Sequence, residues 1–312
     1  MRIFVNTGGS EGTMKGIIIY FSLTGNTKKV AHAIHNGMNQ SVERCDITTL
    51  KKADSSRLTD YDLIAIGSPI WGGVPPNVMR FIDTMPSLKG KHAMVFCTHG
   101  AWPERFFSPI IEKLTKKGLI IIGISVWYGS VYRPALPKPY LTDGHPDEID
   151  LEEAEEFGKE TAELSRKIYA GETGLIPTFS DMRMTSPNTL PRPLPKLNRE
   201  KCRYPECRLC MDHCPLGGID LTVSPPVFAR GCGICYFCEM ICPEGAIEVD
   251  YEARAEASIP RIKDVFLKLL DEAEAEGRFR RLIPVEKVGW DTPYYKVYSK
   301  HPRYVIPEDE TP

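Results

Sequence analysis

No apolar run in this chain is long enough to cross a bilayer. The longest, Leu119 to Trp127, is less than half of the roughly 20 residues a membrane helix needs. Neither sign of charge dominates. The 39 Lys and Arg against 41 Asp and Glu leave a formal net charge of −2, so no nucleic-acid surface is expected. Met1 to Thr13 lacks the apolar core of a signal peptide. That stretch holds Gly8-Gly9-Ser10-Glu11-Gly12 and runs into Met14-Lys15-Gly16, and is read as a loose extension or the product of an upstream start codon, with little role in folding. No Gly-x-Gly-x-x-Gly follows a strand-like segment, which removes the nicotinamide fingerprint. No Ser-His-Asp or Cys-His device is supported either. Cysteine is scarce outside one region, with eight of ten lying between Cys202 and Cys242. Cys45 and Cys97 read as small buried hydrophobes, and a reduced cytoplasm fits the whole pattern.

What is present is concentrated in that region. The cysteines read Cys202-x4-Cys207-x2-Cys210-x3-Cys214-Pro215 and then Cys232-x2-Cys235-x2-Cys238-x3-Cys242-Pro243. Three thiolates in a tight turn, with a fourth and a proline just beyond, is the spacing that wraps an iron–sulfur cube. The fourth cysteine of each run then crosses to the other cube. Zinc and disulfides are the alternatives. Zinc wants well-separated Cys pairs, and disulfides want an oxidising compartment. The stretches Cys210–Leu221 and Cys238–Val249 align at a constant offset, so the module reads as a duplicated half. It resembles the two-cluster bacterial ferredoxins. The resemblance implies two [4Fe–4S] clusters, one on Cys202, Cys207, Cys210 and Cys242, the other on Cys232, Cys235, Cys238 and Cys214. The first run departs from the family by two extra residues after Cys202.

Upstream, strand-like and helix-like segments alternate. Ile17-Ile18-Ile19-Tyr20 is the continuous apolar run of a doubly covered parallel strand, and it leads into Ser22-Leu23-Thr24-Gly25-Asn26-Thr27. Such a turn before a helix N-terminus cradles anions, although Ser and Thr also cap helices without any ligand. Further strands are expected at Ser41–Thr49 (an edge), Asp62–Gly67, Ala93–Thr98 and Gly118–Val126. Helices are expected at Asn77–Thr84, Glu104–Lys117 and Asp150–Ala170, the last with a solvated acidic start. The pattern is α/β, an open, doubly wound five-stranded parallel sheet with ligands beyond the strand C-termini.

Over about Gly16 to Ala170 these residues resemble the flavodoxins, through Ser-x-Thr-Gly-x-Thr, Ser-Pro-Ile-Trp-Gly-Gly and Thr-His-Gly-Ala-Trp. The resemblance implies FMN, its phosphate on Ser22, Thr24, Gly25, Asn26 and Thr27. Ser68, Pro69, Ile70, Trp71, Gly72 and Gly73 would flank one side of the ring, and Thr98, His99, Gly100 and Trp102 the other. His99 or Trp102 stands where many flavodoxins stack a tyrosine.

The organisation expected is an extension (1–13), the flavodoxin-like domain (14–170), a Pro-rich linker (171–197), a small α+β ferredoxin-like domain (198–252) and a tail (253–312). In the tail, a helix from Ser258 to Glu276 with Pro260 in its first turn is expected to dock. Arg278, Arg280 and Arg281 form a basic cluster suited to solvent or an acidic partner. Trp290, Tyr294, Tyr295 and Tyr298 form an extended packing segment. The whole resembles the flavodoxin–ferredoxin fusions of anaerobes. That implies an electron-transfer protein exchanging with redox partners such as a low-potential ferredoxin or an oxidoreductase. A flavin-dependent reductase of a small acceptor such as a quinone, and a redox sensor, are the other readings. A homo-oligomer stays open.

Overall fold

The computed structural model describes residues 14–103, 106–179 and 190–307, so the extension 1–13 lies outside the described residues. Five parallel strands, β1 (Lys15–Tyr20), β2 (Arg44–Thr49), β3 (Leu63–Pro69), β4 (His92–His99) and β5 (Ile120–Tyr128), lie in the order β2-β1-β3-β4-β5. Helices α1 (Asn26–Asn39), α2 (Pro76–Thr84), α3 (Phe107–Lys116) and α4 (Glu148–Tyr169) connect them or follow. The apolar strand residues divide by parity. Ile17, Ile19, Ile64, Ile66, Val95 and Cys97 join one core, with residues of α2 and α3. Ile18, Tyr20, Leu63, Ala65, Met94 and Phe96 join the other, with residues of α1 and α4. Both faces are covered, which is why these strands read as unbroken apolar runs.

Most of the acidic start of α4 is solvated, with Glu152, Glu153 and Glu156 exposed, but its capping carboxylates are engaged. Asp147 and Asp150 cap the helix reciprocally, Asp150 is only 7% exposed, and both accept hydrogen bonds from Arg280 of the tail. A helix N-terminus leaves backbone donors unpaired, and these carboxylates satisfy them.

The cysteine-rich segment carries little regular structure. A two-residue antiparallel pair, β6 (Lys196–Leu197) with β7 (Ile247–Glu248), closes its ends, so it begins two residues before Asn198. Two one-turn helices follow cysteines of each half, α5 (Leu209–Asp212) and α6 (Phe237–Met240). The described end of the Pro-rich segment is strapped down: Pro191 and Pro193 carbonyls accept from Arg254 Nη1 and Tyr236 Oη.

The tail differs from expectation in two ways. Helix α7 (Glu252–Arg261) starts six residues early, which places Pro260 near its end rather than in its first turn. The helix-favouring run Glu252–Ala257 extends it backwards. Proline has no N–H to donate back along the helix, and the chain widens into a π-helical turn at Ile262–Phe266 before α8 (Leu267–Ala275). The arginine cluster is also already paired. Arg280 binds Asp147 and Asp150 and Arg281 binds Asp271 and Glu274, which ties both to the fold, while Arg278 pairs with Glu276 at the surface. Beyond it, the short helix α9 (Tyr294–Val297) docks on the loop after β5, with Tyr294 and Tyr295 amides donating to the Leu136 and Pro134 carbonyls. No helix among the described residues is long and apolar enough to cross a membrane.

A strand-end cleft beside two cysteine cages

All the loops that leave the C-terminal ends of β1, β3, β4 and β5 converge on one cleft. This follows from topology. The chain reverses its direction of strand addition between β1 and β3, so the loops there diverge and leave a crevice.

The first loop supplies a candidate anion cradle. Helix α1 has Gly25 at its N-cap, left-handed at φ 87°, and no side chain caps it. An α-helix leaves its first backbone N–H groups without intrahelical partners, at the positive end of the helix dipole. Ser22 and Thr24 stand at the rim, Ser22 Oγ accepting from the Gly25 amide at 3.2 Å. Asn26 is partly committed, its Nδ2 donating to the Ser130 carbonyl at 2.7 Å. Thr27 is buried and its hydroxyl sits 2.7 Å from that of Thr98.

The other loops supply the walls. Pro69, Ile70, Trp71 and Gly72 line the cleft on one side, and Thr98, His99, Gly100 and Trp102 also line it. Trp71 is held edge-on to Phe21, ring centres 5.4 Å apart. Gly72 and Gly73 adopt φ 75° and 144°, angles that strain any other residue. Of the expected contacts, Gly25, Ser68 and Gly73 do not line the cleft; Ser68 is fully buried, its hydroxyl donating to the Pro69 carbonyl.

His99 is the least comfortable group. It is 6% exposed, and among the described residues neither ring nitrogen has a hydrogen-bond partner. Burial pushes its pKa down to about 3, so the ring is neutral at ordinary pH. A neutral imidazole supplies one donor and one acceptor rather than a positive charge. A buried ring left unpaired costs free energy that a polar ligand in the cleft would recover.

Sequence reasoning missed the rest of the wall. The loop after β5 brings Gly129, Ser130, Val131, Tyr132 and Arg133, and the cysteine-rich module and tail bring Cys235, Phe237, Met240 and Phe266. The strand-end rule applied to β5 points to the loop. Nothing local signals the contacts from the module and tail.

The eight cysteines sort into two cages. Cys202, Cys207, Cys210 and Cys242 line one small cavity, and Cys214, Cys232, Cys235 and Cys238 line the other, so the fourth cysteine of each run crosses over. None of the eight is in a disulfide. Zinc with four sulfurs at about 2.3 Å requires them about 3.8 Å apart. No three cysteine sulfurs among the described residues lie within 4.8 Å of one another. The cages are too wide for a single zinc and match the chemistry of a larger iron–sulfur core. Backbone amides already point at the sulfurs: Gly218 to Cys214 and Ala246 to Cys242, equivalent positions of the two halves, each at 3.3 Å. Burial first, then neighbouring cysteines, push the thiols of Cys210 and Cys235 up to about 12 and about 11. Bound metal reverses that preference by taking the thiolate as ligand.

Comparison with known proteins bears on the N-terminal half first. A flavodoxin domain family model matches residues 17–119. An uncharacterised protein of Methanocaldococcus jannaschii is 32% identical over 153 residues, covering 47% of this chain and 97% of its own length. The N-terminal half belongs to the flavodoxin family. An NAD(P)H dehydrogenase (quinone) of Archaeoglobus fulgidus is 28% identical, over 49% of this chain and 97% of that protein. An uncharacterised ferredoxin of M. jannaschii is 36% identical over 53 residues, 16% of this chain and 86% of its own. The uncapped helix, the glycine-rich flavodoxin loop and the unpaired His99 fit an FMN, and the two wide cysteine cages fit iron–sulfur cores.

Proposed function

We propose that this chain is an electron-transfer flavo-iron–sulfur protein, relaying electrons between FMN, two [4Fe–4S] clusters and a redox partner protein. The observation that carries the reading is a shared wall: Cys235 borders both the strand-end cleft and the second cysteine cage. A flavin exchanges one or two electrons and each cube one, so holding both in one chain couples a two-electron pool to single-electron carriers. The protein's own part is positioning and insulation. The α1 amides with Ser22 and Thr24 would hold the phosphate, and Trp71 and Trp102 would flank the ring. His99 would offer its one N–H.

Phe237, Met240 and Phe266 wall the cleft with apolar side chains from the module and tail. The cysteine module and tail thus close one side of the cleft, which supports exchange with a neighbouring redox centre. Anaerobic reconstitution of the full chain tests the reading directly. About eight irons and one FMN per chain are expected, falling to about four irons in Cys207→Ser and in Cys235→Ser. Stoichiometric zinc instead of iron, or a chain that binds no flavin, would refute it.

A further inference from the structure

The two cages are not equivalent in their surroundings. Four contacts join the second cage to the flavodoxin domain. Cys235 itself lines the cleft. Gly233, two residues before it, lies under Trp71, so closely that a Cβ there would sit 3.3 Å from the indole. The carbonyl of Ile234 accepts from Arg133 Nη2, on the loop after β5, at 3.3 Å. Phe237, which also lines the cleft, lies next to Cys238 of the same cage.

None of the cysteines of the first cage lines the cleft. Its neighbours form a rim of exposed ion pairs: Lys201 with Glu248 at 2.9 Å, Arg203 with Glu244 at 3.0 Å, and Arg208 with Asp212 at 3.7 Å. The side chains of these pairs are 40–62% exposed. Exposed pairs of this kind add little to stability, so their charges are free to exchange partners across a transient, polar interface.

We infer that the chain is a linearly ordered wire: the Cys214/Cys232/Cys235/Cys238 cage is the flavin's immediate neighbour, and the Cys202/Cys207/Cys210/Cys242 cage is the outer port where a one-electron carrier protein docks. This rests on the proposed function and adds the order and the docking face. Each transfer moves one electron. A reduced carrier is oxidised at the outer cage, the electron passes to the inner one, and two such events with two protons from water complete reduction at the cleft; the reverse direction uses the same order.

The test uses the full chain loaded anaerobically with iron, sulfide and FMN, and follows iron release to a ferrous chelator. Two phases of equal size are expected, the slow one at least roughly ten-fold slower while FMN is bound and accelerated when FMN is removed or in Arg133→Ala. Cys207→Ser should abolish the fast phase. Separately, Arg203→Glu and Lys201→Glu should change the second-order rate of reduction by a reduced ferredoxin and its salt dependence, and leave reduction by dithionite alone. If Cys207→Ser removes the slow, FMN-protected phase, or if FMN protects both equally, the order is wrong although the cofactors are present. Rates with ferredoxin that are indifferent to both rim variants would remove the docking face. Failure to bind eight irons and FMN at all would instead overturn the relay itself.

Discussion

Replacing Arg303 by alanine tests how the tail is held on the cage module. Glu239, between Cys238 and Met240, is 2% exposed and accepts from three groups: Arg303 Nε at 2.8 Å, His301 Nε2 at 3.0 Å and Tyr251 Oη at 3.1 Å. Removing one partner of a buried ion pair costs about 3–5 kcal/mol, and one charge-assisted hydrogen bond is worth about 1.5–3 kcal/mol. Two donors remain on Glu239, so a loss of about 2–4 kcal/mol in local opening free energy is expected. At 1.36 kcal/mol per decade, that is about 30- to 1000-fold faster hydrogen exchange at a reporter amide. Tyr304 is that reporter, since its N–H donates to the Met240 carbonyl at 3.0 Å. Arg303 also donates to the carbonyls of Tyr295 and Tyr298, so Glu239→Gln and the double variant are measured beside it. The double-mutant cycle isolates the Arg303–Glu239 coupling from the loss of those carbonyl bonds. Unchanged Tyr304 exchange in Arg303→Ala, or strictly additive effects in the cycle, would refute the idea that this carboxylate anchors the tail.

Two other outcomes are expected. His145 Nδ1 lies 2.5 Å from Asp150, and its Nε2 is 2.8 Å from the Arg280 carbonyl. Burial alone would lower its pKa, but the bonds to Asp150 and the Arg280 carbonyl, with the charges of Asp150 and Asp147, raise it overall. Its contribution is therefore fully present below the unfolded value near 6.5 and lost as pH rises through the raised folded value. Limited proteolysis near Arg280 should speed up over that alkaline window, and His145→Gln should flatten the dependence. In the cradle, Thr24→Ala should weaken FMN binding about ten-fold or more, as expected for one hydrogen bond to a charged phosphate, with unfolding unchanged. Thr27→Ala should instead destabilise the fold by roughly 1–2 kcal/mol, because it strands the buried Thr98 hydroxyl. Fluorescence titration and thermal melting separate the two.

Much of the architecture was legible in local pattern. Buried parallel strands must be apolar on both faces, so Ile17–Tyr20 and its counterparts stand out without any partner being known. The candidate anion-binding turn stands out because a turn between strand and helix exposes backbone amides wherever it lies in a fold of this kind. Thr27 shows the limit: the same residue type serves a cradle or a core, and only the sheet order, with β4 one strand beyond β3 from β1, brings its hydroxyl to Thr98.

The sequence by itself determined the chemistry on offer: two runs of four thiols at cube-wrapping intervals, and a sheet whose strand ends meet at one crevice. Only the tertiary structure decided which thiols share a cavity, and that Cys235 stands beside Trp71 and Arg133, roughly a hundred residues and more away along the chain. It also turned two of the three tail arginines, Arg280 and Arg281, from a bare basic patch into paired clasps. Spacing along the chain fixes what a short segment can bind, because those residues are tied together covalently. Contacts between distant segments depend on the summed burial of many weak surfaces, which no single stretch of sequence displays.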